Sequence, residues 1–305
     1  MLASADTQAA TWLPKTVIQL YKDILCAQLA GTSAKWADQF LLKNKNMKHK
    51  LIILSFCFLL LNISNLFAQN VRFATDGVIE FEKSSNMFAI MKRQMEKSSS
   101  GFMQQAYEAY KRNQPQFKVL KSTLAFSKDK TLYTPLADEN SSRNYFFSDP
   151  STGQWNTIYT DLASGMFTAQ KVVYEETFLV KDTTRKINWK ITSELRTIAG
   201  YECRRANAVI LDSIYVVAFY TDKIPVSGGP ESFTGLPGMI LGVALPHENI
   251  TWFAKTVTDK PVAPNELKVP AKGKAVNNKT LRETINSALK DWGDYAQSAL
   301  KAFLL

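Results

Sequence analysis

The sequence predicts a mainly β fold with helices (α+β), whose body is a curved antiparallel sheet or half-barrel meander. Two observations predict it. After residue 115, short apolar and β-branched runs alternate with polar or glycine-containing turn signals, which is the pattern of successive hairpins. In residues 87–112 and 281–305, apolar side chains recur every three or four positions, which is the spacing of amphipathic helices. We therefore expect one large sheet with an N-terminal helical insertion and a C-terminal helix.

The predicted elements follow one another closely along the chain. A first strand is expected at 70–83 and the helical insertion at 87–112, with a break at 98–101 where serines and a glycine interrupt the pattern. Further strands are predicted at 117–126, 131–134, 155–160, 167–180, 187–195, 201–211, 214–220, 239–245 and 250–257. The junctions at 182–184, 199–200, 212–213 and 246–249 have hairpin-turn composition. This order of strands and helices resembles the LolA-like half-barrel of lipoprotein carriers, by analogy of pattern alone.

The last part of the chain changes composition. Residues 261–279 are rich in Pro, Lys and Asn, which predicts a basic linker. Residues 281–305 carry apolar side chains on one helical face, so a single amphipathic helix is expected there. Thr280 and Glu283 have capping-box spacing at its start. The default expectation is that this helix packs back on the sheet.

The N-terminal region carries a targeting signal. A basic stretch at 47–50 precedes an apolar core at 51–61 and a cleavage-like end at Ala68, in the order of a secretory signal peptide. We interpret 1–46 as an extension from a start codon assigned too early; the alternative is a signal anchor that leaves 1–46 in the cytoplasm. The predicted organisation is an extension (1–46), a signal peptide (47–68), an antiparallel β domain (69–260), and a linker with a helix (261–305). The expected location is the periplasm or the outer membrane, with membrane contact only through the signal segment or the surface.

Composition excludes several function classes. The net charge is +10, and no long basic run or recognisable module points to nucleic-acid binding. After residue 68, Cys203 and His247 are the only cysteine and histidine, so a zinc site of the usual kind is not expected. Cys203 shares a strand face with Tyr201, which favours a buried thiol over a reactive one. His247 lies in a predicted turn. We expect no catalytic residues, no metal and no cofactor.

The segment 220–241 contains the densest turn chemistry of the chain. Leu236-Pro237-Gly238-Met239 predicts a type II turn that directs the following apolar residues into the core. Two interpretations stay open: a structural corner, or a binding loop held rigid by its prolines. The binding-loop candidates are Ile224, Pro225, Gly229, Pro230, Phe233, Gly235, Leu236, Pro237 and Gly238. Glu231, within this loop, is expected to be solvated.

The same segment resembles the GLPGLI family of secreted Bacteroidetes proteins. The matching residues are Gly200-Tyr201, Cys203, Ala206, Phe219-Tyr220-Thr221, Ile224-Pro225, Gly229-Pro230 and Gly235-Leu236-Pro237-Gly238-Met239-Ile240. Met239 replaces the usual Leu, and Phe219 stands where Trp is commoner. The resemblance is close over about residues 186–245 and looser after residue 70. It implies an envelope protein with a β-rich fold and implies no reaction.

These observations lead to three functional hypotheses. The first is a non-enzymatic cell-envelope protein whose curved sheet binds an apolar, lipid-like ligand or a partner protein, motivated by the Met and Phe content of 87–107. The second is a structural or accessory component of an outer-membrane assembly that docks through the loop 224–240. The third, a hydrolase or thiol enzyme using Cys203 and His247, has no local support in the sequence.

Overall fold

The computed structural model describes residues 73–97, 101–137, 149–153 and 156–305. These residues belong to one compact unit, residues 72–305. The predicted extension 1–46 and the signal segment 47–68 lie outside the described residues, as does most of the predicted break at 98–101.

The described residues form twelve strands and four α-helices. The strands are β1 (Asp76–Asn86), β2 (Phe117–Ser127), β3 (Lys130–Pro135), β4 (Asn156–Asp161), β5 (Met166–Val173), β6 (Glu176–Thr183), β7 (Lys190–Ile198), β8 (Tyr201–Ile210), β9 (Ile214–Thr221), β10 (Met239–Leu245), β11 (Ile250–Asp259) and β12 (Lys274–Val276). The helices are α1 (Met87–Lys97), α2 (Gly101–Asn113), α3 (Asn278–Ala288) and α4 (Asp294–Leu304). Short 3-10 turns lie at Pro150–Thr152, Pro246–Glu248 and Pro264–Glu266. The structure thus confirms a mainly β fold with helices.

All twelve strands belong to one sheet in the order β12-β6-β5-β4-β3-β2-β1-β11-β10-β9-β8-β7. It consists of two antiparallel meanders, β1 to β6 and β7 to β11, which join where β1 pairs with β11. The short β12 adds to the edge of β6 in parallel. The sheet therefore ends at β12 on one side and at β7 on the other.

The connection between β6 and β7 shows how strongly the sheet curves. Ten strand spacings separate these two strands in the sheet order, which would be about 48 Å in a flat sheet. Only residues 184–189 connect them, and an extended chain of that length spans at most about 25 Å. The sheet must curl until its two ends approach, which produces an open, curved sheet with an interior on its concave side.

The helical insertion packs against the start of the first meander. Asn86 begins α1 by accepting a hydrogen bond from the Ala89 amide at 3.2 Å. Met87, Ile90 and Met91 are buried, so this part of the methionine-rich stripe is core. Helix α2 buries none of its side chains fully and contacts α1 through ring pairs from Phe88.

Two predictions for the region from β5 to the start of β7 are wrong. The predicted strand 167–180 is two strands, because the chain reverses at Tyr174, whose φ is +54°. A single apolar run concealed the turn, since its turn residues lack glycine and proline. The predicted hairpin at 182–184 is instead the connection to the other end of the sheet, because β6 and β7 are not neighbours.

The C-terminal region also differs from the prediction. The expected linker contains β12, which is too short to give a strand signal. The expected single helix is two helices, α3 and α4, separated around Gly293, whose φ is +55°. Asn277, rather than Thr280, caps α3: its side chain accepts the Thr280 amide at 2.8 Å. Both helices pack on the sheet through buried side chains, as expected: Leu281, Ile285 and Ala299.

Candidate functional site

The connection between β9 and β10, residues 222–238, fills the interior of the curved sheet; we call it the motif loop. Six of its nine predicted binding residues are buried: Ile224, Gly229, Pro230, Phe233, Leu236 and Gly238. The other three, Pro225, Gly235 and Pro237, are exposed. The loop is therefore mainly packing material, and a direct binding role stays a prediction for the three exposed positions.

Main-chain contacts hold the motif loop in one conformation. The Met239 amide donates to Ile224 O at 3.0 Å, and the Ile240 amide donates to Gly228 O at 2.8 Å. The predicted type II turn is wrong, because the Gly238 amide donates to Leu236 O at 2.8 Å, a tighter three-residue turn around Pro237. Its predicted effect is confirmed: Met239, Ile240 and the following Leu241 are fully buried.

The motif loop brings Glu231 into a buried polar cluster, where the sequence predicted a solvated side chain. Glu231 is 6 % exposed, and its positive φ of 52° departs from extended backbone. Its Oε2 accepts a hydrogen bond from Asn156 Nδ2 of β4 at 2.9 Å. Buried carboxylates require such partners, because desolvation opposes their charge.

Two buried lysines, from strands β1 and β5, complete the cluster. Lys83 of β1 donates to Gly153 O and lies 4.9 Å from the centre of the Trp252 ring. Lys171 of β5 donates to Phe303 O at 3.1 Å. The hydroxyl of buried Tyr133 lies near Ser122, Trp252 and Glu231. Lysine, glutamate and tyrosine groups thus meet inside a largely apolar core.

Burial changes the acidity of these groups. Desolvation lowers the pKa of Lys83 to about 8, and the attraction of Glu231 opposes this shift only in part. Desolvation also lowers the pKa of Lys171 to about 8; Glu231 opposes this shift, and the charge of Arg185 adds to it. Desolvation, followed by the Glu231 charge, raises the pKa of Tyr133 well above its usual value. Tyr133 is therefore neutral at physiological pH, while both lysines remain largely protonated.

Residues 303–305 lie over this cluster, and each of their carbonyl groups accepts a hydrogen bond from a different side chain. We call these three residues the terminal segment. Lys171 Nζ binds Phe303 O at 3.1 Å, Arg185 Nη2 binds Leu304 O at 2.6 Å, and Ser232 Oγ binds Leu305 O at 2.6 Å. The donors come from β5, from the β6–β7 connection and from the motif loop. The three apolar side chains of the segment are buried.

Little free space remains beneath the terminal segment. The volume open to the centre of a water molecule is about 20 Å³, which is room for one or a few water-sized groups. Its lining combines the polar cluster with the segment: Lys83, Asn156, Glu231, Trp252, Phe303 and Leu305. Among the described residues, the free space at this site is small, and both polar and apolar groups form its walls.

The two candidate thiol-enzyme residues do not form a reactive pair in this arrangement. Cys203 is fully buried, as predicted, and desolvation raises the pKa of its thiol to about 12, so the thiol stays protonated at neutral pH. His247 lies exposed in the predicted turn between β10 and β11. The described part of the chain contains no cluster of three or more acidic, histidine or cysteine side chains suited to a metal ion. None of its helices is long and apolar enough to cross a membrane.

Four residues of the polar cluster and one donor to the terminal segment were not predicted from the sequence: Lys83, Tyr133, Asn156 and Lys171, and Arg185. A usable signal existed in strand alternation, because Lys83 follows buried Ile79 and Phe81 at intervals of two residues. Lys171 occupies the same inward alternation between Ala169 and Val173. The position of Glu231 had no such signal, since its loop has no regular period.

Comparison with known proteins gives limited matches. A family model described as a protein of unknown function (Porph_ging) matches residues 208–242, which span β9 and the motif loop. No curated protein matches the chain. Two solved structures of PNGF-II, in the P21 and C2 space groups, match at 16 % and 14 % identity, each with a TM-score of 0.44. They cover 69 % and 74 % of this chain, whereas the chain spans only 33 % of the length of each.

Proposed function

We propose that the protein is a non-enzymatic cell-envelope protein that binds a partner protein through the concave side of its curved sheet. The bound element is the end of an apolar helix of the partner. It replaces the terminal segment over the buried polar cluster.

The carbonyl contacts of the terminal segment carry this proposal. Lys171, Arg185 and Ser232 hold three successive main-chain carbonyls, and the side chains between them enter an apolar interior. Phe303 and Leu304 end helix α4, and the last carbonyls of a helix have no partner within it. An amphipathic helix whose apolar face enters a groove is a general mode of peptide binding. Nη1 of Arg185 is also buried and has no hydrogen-bond partner among the described residues, so the groove holds a donor that its present occupant does not use.

The interior favours a peptide over the apolar, lipid-like ligand that the sequence also allowed. The motif loop and the terminal segment occupy the concave side, and the space left at the polar cluster is about 20 Å³. A lipid chain needs a far larger apolar cavity. The walls of the remaining space carry Lys83, Glu231 and Asn156, which suit carbonyl and amide groups.

Cellular location and family are part of the same proposal. Export to the periplasm or the outer membrane rests on the signal-like segment 47–68. Assignment to the GLPGLI family rests on the residues between Gly200 and Ile240, and the LolA-like comparison rests on the strand pattern. A curved sheet is compatible with each of them.

Peptide binding in solution tests the groove. The probe is a fluorescein-labelled peptide with the sequence of residues 294–305, and binding is measured by fluorescence anisotropy. Phe303→Ala weakens the hold of the protein on its own segment, so this variant is expected to bind the probe about tenfold more tightly than the unmodified protein, which corresponds to about 1.4 kcal/mol. Adding Lys171→Met to Phe303→Ala is expected to reverse that gain, because Phe303 O loses its donor.

A matched surface variant serves as the control. Lys274→Met removes an exposed lysine of β12 and, combined with Phe303→Ala, leaves probe binding unchanged. Circular dichroism establishes that each variant is folded. If folded Phe303→Ala protein binds the probe no better than the unmodified protein, the peptide groove is rejected.

A further inference from the structure

The two edges of the sheet differ in how far another strand covers them. β12 covers three residues of the β6 edge, which shortens the row of free main-chain groups there. β7 pairs with β8 on one side only, and its residues 193–197 are exposed on both faces. The β7 edge is therefore an open site for strand addition within the described structure.

Hairpin geometry identifies which main-chain groups of β7 are free. The β7–β8 turn is the two-residue turn Ala199-Gly200 with φ values of 49° and 84°, so Ile198 and Tyr201 form the hydrogen-bonded pair next to it. In an antiparallel ladder the hydrogen-bonded pairs alternate with pairs whose groups point outward. The amide and carbonyl groups of Thr197 and Leu195 therefore face away from β8.

The side chains around Leu195 are complementary to themselves under a two-fold axis. If a second β7 pairs antiparallel with the axis at Leu195, the two Leu195 residues lie opposite each other. Glu194, the last residue of the irregularity in β7 between Ile191 and Leu195, then lies next to Arg196 of the second copy, and Arg196 lies next to its Glu194. The two-fold axis relates two main-chain hydrogen bonds to each other and two ion pairs to each other, and one Leu195 pair forms on the axis itself.

Contacts within each chain already position these side chains. Glu194 binds Arg205 at 2.6 Å, which leaves its second oxygen for the opposing strand. The Arg196 guanidinium lies 4.8 Å from the centre of the Phe253 ring and is exposed at the strand edge. Leu195 is 51 % exposed, so pairing would remove apolar surface from water.

From this complementarity we infer that β7 is a self-association edge, where two copies of the chain join their sheets in antiparallel register centred on Leu195. The occupant of the edge is a second copy of this chain. This surface is separate from the peptide groove, so a negative result for one site does not bear on the other.

Variants that reverse the charge of Glu194 or Arg196 test the register of the two strands. Association is measured by sedimentation equilibrium over a series of protein concentrations. The purified protein is expected to show a monomer–dimer equilibrium. Glu194→Arg places Arg against Arg, and Arg196→Glu places Glu against Glu, so each variant alone is expected to associate about tenfold or more weakly. An equimolar mixture of the two variants restores opposite charges at both positions and is expected to form a heterodimer.

Leu195→Pro tests the main-chain contribution. It removes an outward amide while sparing the ladder to β8, so it is expected to abolish association in a protein that retains its circular dichroism spectrum. A monomer at all concentrations for the unmodified protein would overturn the inference. So would a failure of the mixed variants to associate, or undiminished association of both single variants.

Discussion

At the residue scale, the motif loop depends on a backbone conformation that only glycine adopts readily. Gly238 has a φ of +145°, and a Cβ built there would lie 2.1 Å from Thr221 O. Gly235 also has a positive φ, +93°, but its nearest neighbour would be Trp189 Nε1 at 3.6 Å. The two positions therefore share conformational strain and differ in steric overlap.

Substitution by alanine separates these two effects. Gly238→Ala is expected to lower the free energy of unfolding by about 3–5 kcal/mol, because main-chain overlap adds to strain. Gly235→Ala is expected to lower it by about 1–2 kcal/mol, from strain alone. Urea titration followed by circular dichroism measures both. Equal losses would show that the close approach to Thr221 does not limit the loop.

Lys171 gives the stability of the protein a specific pH dependence. Its pKa is about 8 in the folded protein and about 10.4 in an unfolded chain. Between these values the unfolded chain binds a proton that the folded protein does not, so the stability contribution of Lys171 rises as pH rises. Below pH 8 Lys171 is protonated in the folded protein, so the desolvation of its charge lowers stability to the full extent.

Replacing Lys171 by Met should remove this dependence. The free energy of unfolding of the unmodified protein, relative to Lys171→Met, is expected to rise by about 2–3 kcal/mol from pH 7 to pH 10.5. Urea titrations at a series of pH values measure the difference. Lys274→Met, which removes an exposed lysine, is the control and should give a constant difference. A constant difference for Lys171→Met as well would contradict the assigned charge state.

At the element scale, β12 acts as a cover for the edge of β6. Its approach requires Gly273, whose φ is +121° and whose added Cβ would lie 2.8 Å from Thr177 O and from the Phe178 carbonyl carbon. The pairing covers Phe178 to Val180. The pairing of β12 with β6 therefore depends on a glycine that lies against the β6 main chain.

Gly273→Ala is expected to detach β12 without unfolding the sheet, because the overlap lies at its edge. Hydrogen–deuterium exchange should then accelerate at residues 178–180, while exchange in β9 is unchanged. Gly200→Ala provides the matched comparison, since Gly200 has a φ of +84° but no neighbour within 4 Å, and it should not affect β6. Unaltered exchange at 178–180 in the Gly273→Ala protein would mean that β12 does not protect this edge.

At the scale of the whole molecule, the sequence predicted most strands but not their order. The runs at 201–211, 214–220 and 239–245 coincide closely with β8, β9 and β10, because strong β-propensity and clear turns delimit them. No local pattern in the sequence indicates that β1 pairs with β11 or that β6 and β7 are far apart in the sheet. They depend on how apolar faces meet in three dimensions.

The candidate site was predictable only in part, for a related physical reason. The motif loop was identified by its glycines and prolines, and burial of Phe233 and Leu236 makes it a structural element first. Its polar neighbours come from strands far apart in the chain, such as Lys83 and Lys171. A side chain that is buried only because a distant loop covers it carries no signal beyond strand alternation.

The seam between β1 and β11 also bears on how fast the chain can fold. Val78 pairs with Thr258, 180 residues later in the chain. Closing so long a loop is entropically unfavourable until many contacts form together, and folding slows as native contacts become more distant in sequence. One edge of β1 must therefore stay unpaired until β11 has formed. During that interval, the central strand of the finished sheet is an exposed edge open to misassembly.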